Sequence, residues 1–356
     1  MAAVCASAVT VPLLTASSAQ ASTGCRSANG VKITDRQVCI GLKFYAGKTI
    51  AWDALGVVGN PFDIYARAFA PYLQQFLGAN VQITNYPLGN TTMGQDLNAH
   101  SVPDGLTIGN LNELSDVASI LTNTPGLNFN PSRLAWISST GPSISVLAVH
   151  TGQFGDGITQ LSQINSTTPV LTRTSGTINT LTRVFFGVLG ITPRYITGYS
   201  SSGLEETGFL RGDGPVMVDS SLSVGSYIQG KQAIGLAVNS KPPVGLAYRA
   251  LLDNLPTFKQ IIDAAHLTTA KQKKEVAAFN YLNSSNGTPT VVQTGVPIAR
   301  VDALRAAFVW MYTQPALKTT LLGGGVSPKV VSPVVAKQTY LQLMKVASRV
   351  SGFMQQ

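Results

Sequence analysis

The sequence predicts an α/β protein of two domains. Three observations carry this: the chain length, an apolar content well above the charge content, and short apolar runs alternating with helical periods. At 356 residues the chain suits about two domains of roughly 100–200 residues each. Hydrophobic residues make up 44% and charged residues only 12%; large cores can therefore be buried, and a disordered chain is excluded. Apolar segments bounded by turn residues, alternating with segments of helical period, are the pattern of α/β architecture.

In chain order, Lys48 to Trp52 reads as a strand and Gly56 to Asn60 as a loop. Asp63 to Leu77 reads as a helix, with Tyr65, Phe69, Tyr72 and Phe76 on one face and Gly78 as its stop. Pro71 lies inside it and should kink it. Asn80 to Thr84 is the next strand, a loop runs from Asn85 to Gly94, and Pro103-Asp104-Gly105 turns into the strand Leu106 to Ile108. Ser143 to His150, Pro169 to Thr172, Tyr195 to Gly198, Pro215 to Asp219 and Gly235 to Val238 read as strands, with helices over Thr177 to Leu189 and Leu204 to Leu210. Pro297 opens a helix carrying Val301, Leu304, Phe308 and Met311 on one face, and it stops before Pro315. Ser332, followed by Pro333, caps a final helix. No internal repeat or low-complexity linker separates two halves, so the domains are expected to be joined by strands that cross between them.

The formal charge is +9, from 25 Lys plus Arg against 16 Asp plus Glu. The basic residues are scattered, and the densest run (Lys271, Lys273, Lys274) lies beside Glu275 on a helix, as a solvated face would. The excess suits attraction of an anion but names no partner. No apolar run reaches the roughly 18 residues of a membrane span.

Residues 1–21 read as a signal peptide. A weakly polar run over residues 2–16 precedes Ala19-Gln20-Ala21, which fits cleavage after Ala21, although no basic residue precedes Arg26. Export to the periplasm, cell envelope or exterior is the expectation. Cleavage would leave Cys25 and Cys39, an even pair in an oxidising compartment and so a candidate disulfide. Two free thiols, or a lipid anchor on Cys25, are the alternatives.

Catalytic patterns are lacking. The three histidines, His100, His150 and His266, form no metal-ligand spacing. There is no G-x-S-x-G elbow, dinucleotide fingerprint or phosphate loop. The expectation is a protein that is not an enzyme and that uses no metal or cofactor. What the sequence does offer is small-polar loops at strand ends: Gly59-Asn60-Pro61, Gly89-Asn90-Thr91-Thr92, and Arg173-Thr174-Ser175-Gly176-Thr177. Each leads into a helix, where free backbone N–H groups, the positive dipole end and nearby hydroxyls favour a carboxylate. Ordinary turn and cap chemistry uses the same residues.

Gly59-Asn60-Pro61-Phe62-Asp63-Ile64-Tyr65-Ala66-Arg67 resembles the G-G-x-x-D-x-x-A-R signature of the substrate-binding receptors of tripartite tricarboxylate transporters, the Bug family. Asn85 to Gly89 followed by Gly94, Pro103 to Thr107, Thr197-Gly198-Tyr199, Arg211-Gly212-Asp213, Gly235 to Val238 and Gly295-Val296-Pro297 with Arg300 and 303–308 are similar to further motifs of that family, in order, over about residues 47 to 345. Asn60, Leu88, Asn90 and Thr91 stand where the family keeps glycines, and Pro215 where it usually has an acidic residue.

The resemblance implies a type II periplasmic-binding-protein fold, two α/β domains around a ligand cleft. Domain 1 would be 22–145 plus 236–356 and domain 2 would be 146–235, with crossings near 142–147 and 233–240. It implies a monomeric receptor that captures a small organic anion, a carboxylate by preference, for the membrane subunits of a secondary transporter, without nucleic acid. By position, the ligand-binding set is Gly59, Asn60, Asp63, Gly89, Asn90 and Thr91 from one domain. Thr174, Ser175, Gly176, Thr177, Tyr199 and Ser200 come from the other, with Tyr199 covering an apolar part of the ligand. A second reading is an exported interaction protein of the same fold that has lost or changed ligand binding, its cleft plugged by side chains such as Leu88.

Overall fold

In the computed structural model, residues 24–86, 91–121, 128–174, 176–284 and 287–355 are described. The signal-peptide segment 1–21 and the site candidates Gly89, Asn90 and Ser175, with Leu88, lie outside them. The N-terminal part runs β1 (Cys25–Arg26), β2 (Lys32–Ile33), α1 (Arg36–Tyr45), β3 (Thr49–Leu55), α2 (Pro61–Leu77), β4 (Asn80–Tyr86), α3 (Thr92–Ala99), β5 (Thr107–Asn110), α4 (Glu113–Leu121) and β6 (Ala135–Thr140). A central part follows with β7 (Ser145–His150), β8 (Pro169–Arg173), α5 (Thr177–Val188), β9 (Arg194–Tyr199), α6 (Ser202–Arg211), β10 (Val216–Ser220), α7 (Ser221–Gln229) and β11 (Ala233–Val238). The rest comprises α8 (Arg249–Leu252), α9 (Phe258–Ala264), α10 (Ala270–Ser284), β12 (Pro289–Val292), α11 (Ile298–Met311), α12 (Pro315–Gly323), β13 (Val330–Val331) and α13 (Pro333–Val346).

These strands form two main sheets, so the fold is mixed α/β with two α/β units. The first has the order β13-β6-β12-β5-β3-β4, and the second β11-β7-β10-β8-β9. In the first sheet β3, β4 and β5 are parallel, and β12 runs antiparallel between β5 and β6. In the second, β8 is parallel to β9 and β10, while β7 is antiparallel to β10 and β11. The parallel connections are helices, as a crossover requires.

Each sheet has its own core. Trp52 of β3 is fully buried against Phe69 of α2 and Phe308 of α11, and its indole N–H donates to Asn110 Oδ1 at 3.0 Å. That bond lets the largest side chain sit in the core without an unsatisfied donor. Helix α1 packs on α11 through Gly41, where a Cβ would strike the Ala299 carbonyl. Over the second sheet, Phe185 of α5 stacks on Phe258 of α9 with centroids 4.2 Å apart, and Phe279 of α10 joins them. Leu114 and Val117 of α4 and Leu343 and Val346 of α13 belong to the same cluster. Elements that precede and follow the central part in sequence therefore cover its sheet.

The chain passes from the first sheet to the second between β6 and β7. Asn239 marks the junction: its Oδ1 accepts from Ser145 N–H at 2.9 Å and its Nδ2 donates to the Ser143 carbonyl at 2.9 Å. After β11, α9 and α10 stay on the second sheet's core, and β12 then rejoins the first sheet. Cys25 and Cys39 are disulfide-bonded, with Cα atoms 5.7 Å apart, closing the short β1–β2 hairpin onto α1. No described helix is long and apolar enough to cross a membrane.

Candidate functional site

Parallel strands fed by helices leave strand carboxyl ends and helix N-termini at one edge of a sheet, the usual place for a ligand crevice. Here both sheets direct such edges at one cavity of about 570 Å³. From the first sheet come the turn after β3 and the start of α2, with Thr91, Asn112 and Thr288. From the second come the starts of α5, α6 and α7. Ser143 to Ser145, at the junction, form part of the floor, and Tyr65 O–H meets Ser143 Oγ there at 3.1 Å.

The helix N-termini around this cavity differ in how they are satisfied. Asn60 caps α2, its Oδ1 accepting from Asp63 N–H, while its Nδ2 donates back to the Leu55 carbonyl at 2.6 Å. Both functions of the Asn60 amide are thus held inside the turn. Ser201 caps α6 through Leu204 N–H, and Ser220 caps α7 through Ser223 N–H. The N-cap of α5 is Gly176, at φ 92°, which brings no side-chain cap. Only a residue without Cβ adopts that backbone without strain. The first-turn N–H groups of α5 therefore open onto the cavity beside the Thr177 hydroxyl, which donates to Asn112 Oδ1 at 2.9 Å across the cleft. Asn112 in turn donates to Thr91 Oγ1 at 3.3 Å.

Of the expected site residues, Gly59, Asn60, Thr91, Thr174, Gly176, Thr177 and Ser200 line the cavity together. Asp63 is not among the lining residues. It is 2% exposed, its Oδ2 accepts from Gly59 N–H at 2.9 Å, and Arg67 Nε donates to both of its oxygens. Burial alone would raise its pKa, but Arg67 and the Gly59 N–H hold it below the usual carboxylate range. Its work is to fix the turn that carries Gly59. Tyr199 also stands apart from the cavity. Its hydroxyl donates to Asp213 Oδ2 at 2.7 Å, and its ring covers Gly208, where a Cβ would collide.

Sequence reasoning missed the charged wall. Among the described lining residues only Arg173, Glu206 and Asp219 carry charge. Arg173, at the carboxyl end of β8, donates from Nε to Glu205 Oε2 and from Nη2 to Asp219 Oδ2, both at 2.8 Å. Glu205 is wholly buried and Asp219 nearly so. Burial opposes the Arg173 charge, yet the two carboxylates outweigh it and hold its pKa above the ordinary value. Burial, reinforced by the charge of Asp219, pushes Glu205 up to about 8 against the pull of Arg173. Glu206, on the next position of α6, accepts from Ser223 Oγ at 2.7 Å and from Tyr227 O–H at 3.0 Å. Burial and then Asp219 raise its pKa. The one available signal was the adjacent Glu205-Glu206 pair at a helix start, in a chain otherwise poor in charge.

No group of three or more His, Cys, Asp or Glu among the described residues is placed to hold a metal. His150 packs its ring between Phe154 and Phe209, with Nδ1 beside the Thr151 carbonyl. It stands outside the cavity wall, as do His100 and His266.

No protein-family model matches the sequence, and no curated protein matches it. Solved structures do match its fold. MatC from Rhodopseudomonas palustris with bound malate is 18% identical, with a TM-score of 0.65 over 85% of this chain and 99% of that one. A TctC solute-binding protein from Polaromonas is 16% identical, with a TM-score of 0.62 over 87% and 99%. A further R. palustris protein, with adipate, is 14% identical, with a TM-score of 0.65 over 86% and 97%. At these identities the likeness establishes the fold, that of the periplasmic binding proteins.

Proposed function

We propose that this chain is an exported receptor that captures a small organic carboxylate in the cavity between its two sheets and delivers it to the membrane subunits of a tripartite tricarboxylate-type transporter. The observation that carries the reading is the uncapped N-terminus of α5, open to the cavity beside Thr177. The starts of α2, α6 and α7 use their own side chains as caps, whereas α5, like α3 at Thr91, has no side-chain cap and offers N–H groups to an anion. The malate and adipate held by proteins of this fold favour a carboxylate. The ordered motifs over residues 47–345 favour the tripartite tricarboxylate receptors within it. On this reading the protein binds and does not catalyse, works as a monomer in the periplasm or cell envelope, and is released from a signal peptide ending at Ala21. Its lobes are 22–145 with 236–356, and 146–235; α9 and α10 of the first pack on the second lobe's sheet, and α13 touches both cores. Ligand contacts to both lobes would favour the closed state by differential affinity.

The test is thermal stability of the chain against mono-, di- and tricarboxylates, aromatic acids, amino acids and neutral sugars. A ligand at about 100 times its dissociation constant stabilises by about 2.7 kcal/mol. The expected result is a selective shift with acids, lost in Thr177→Val, which removes the hydroxyl at the α5 start. A shift with sugars alone, or none with any member of the panel, counts against the receptor and favours an interaction protein of the same fold.

A further inference from the structure

The receptor reading leaves the acidic wall unexplained, since an anion has no cation waiting for it. Arg173 is the only cationic residue among the described lining residues, and its Nε and Nη2 already serve Glu205 and Asp219. Two carboxylates thus share one guanidinium. Glu206 adds a third, bound by two hydroxyls and by no ion pair among the described residues. A further acceptor, Glu205 Oε1, is fully buried with no hydrogen-bond partner among the described residues. Arg173 is taken up by Glu205 and Asp219, so Glu206 is the acidic side chain at the cavity that has no ion-pair partner among the described residues. A second carboxylate placed against this wall would be repelled, whereas a cation there would be drawn to the half-buried Glu206 carboxylate.

We propose that the ligand is an amino-carboxylate, whose carboxylate lies at the α5 N-terminus while its ammonium group docks on Glu206. The inference rests on the receptor reading and narrows it: Glu206 selects against di- and tricarboxylates. Ser223 and Tyr227 act as positioning residues, holding the two Glu206 oxygens, one hydroxyl on each.

Isothermal titration of the full chain tests this with 4-aminobutyrate, 5-aminovalerate, L-glutamate and L-alanine, against butyrate, glutarate and adipate. At least one amino acid should bind about tenfold or more tightly than any acid lacking the amine. Glu206→Gln should weaken that amino acid by about tenfold or more and strengthen glutarate or adipate, reversing the preference. Glu206→Asp, which keeps the charge on a shorter stem, should restore part of the amino-acid preference; this separates a charge effect from damage to α6. If glutarate or adipate binds the native chain more tightly than every amino acid, the inference fails and the carboxylate receptor stands. Undiminished amino-acid binding by Glu206→Gln also overturns it. If no probe binds, both readings fall.

Discussion

Replacing Arg173 by Met removes the one cation from the wall and leaves two buried carboxylates facing each other. Glu205 is 0% and Asp219 2% exposed, and each receives a 2.8 Å hydrogen bond from the guanidinium. At an effective dielectric of about 20 a unit pair near 4 Å is worth about 4 kcal/mol, before the cost of desolvating both groups. Removing one partner of such a buried pair typically costs about 3–5 kcal/mol. The lower end is expected here, because Glu205, already pushed up to about 8 by burial, can take a proton and relieve one of the two charges. Urea unfolding followed by circular dichroism at pH 7 should therefore show Arg173→Met less stable by about 3 kcal/mol. Adding Glu205→Gln and Asp219→Asn removes the stranded charges and should recover more than half of that loss. The loss in the single variant should also shrink as pH falls below about 8, where Glu205 takes up its proton. A loss under about 1 kcal/mol, or no recovery in the triple variant, would refute the claim that this network holds the wall together by charge.

Other consequences can be checked in parallel. Loss of the Cys25–Cys39 bond, with a separation of 14 residues, should cost about 3 kcal/mol by loop entropy; Cys25→Ser plus Cys39→Ser compared with native chain in urea measures it, and equal midpoints would mean the loop is held without the bond. Burial pushes Asp116 up to about 7, with Gln95 and Tyr340 opposing it. The folded chain therefore binds this proton more tightly than the unfolded one, and the stability it carries is full below about pH 4 and lost as pH rises toward 7. Asp116→Asn should remove that slope, gaining up to about 4 kcal/mol relative to native at neutral pH; a difference between the two that stays flat from pH 4 to 7.5 contradicts it. Phe258→Ala opens the stacked Phe185 contact at the centre of the second core and should cost about 3–5 kcal/mol in the same assay.

Most of the secondary structure was legible because its signals are local. Gly78 stops α2 at φ 66°, and Ser332 with Pro333 starts α13, as their chemistry dictates. Helix α2 begins at Pro61 rather than at Asp63, since proline suits the first helical position and Asn60 supplies the cap. Pro297 precedes α11 as its N-cap instead of opening it. Helix α1 and strands β6 and β12 went unread. Strands β6 and β12 are short, and their burial is set by neighbours far along the chain: β12 is inserted antiparallel between β5 and β6, well over a hundred residues earlier.

The candidate site divides in the same way. Small-polar loops at strand ends are visible in the sequence because turn conformations and helix starts select Gly, Asn, Ser and Thr locally. Whether such a residue faces the ligand or completes its own turn is settled by which atoms are already occupied. Asn60 and Asp63 hold their turn, while Gly176 leaves α5 open. By itself, then, the sequence determined the α/β class, the ends of several helices and the small-polar loops at strand ends, because each depends on residues within a turn or two. The tertiary structure alone decided the charge of the cavity. Arg173, Glu205 and Asp219 are 32 and 46 positions apart, and only the parallel pairing of β8 and β10, with α6 packed beside them, brings their charges within hydrogen-bonding distance.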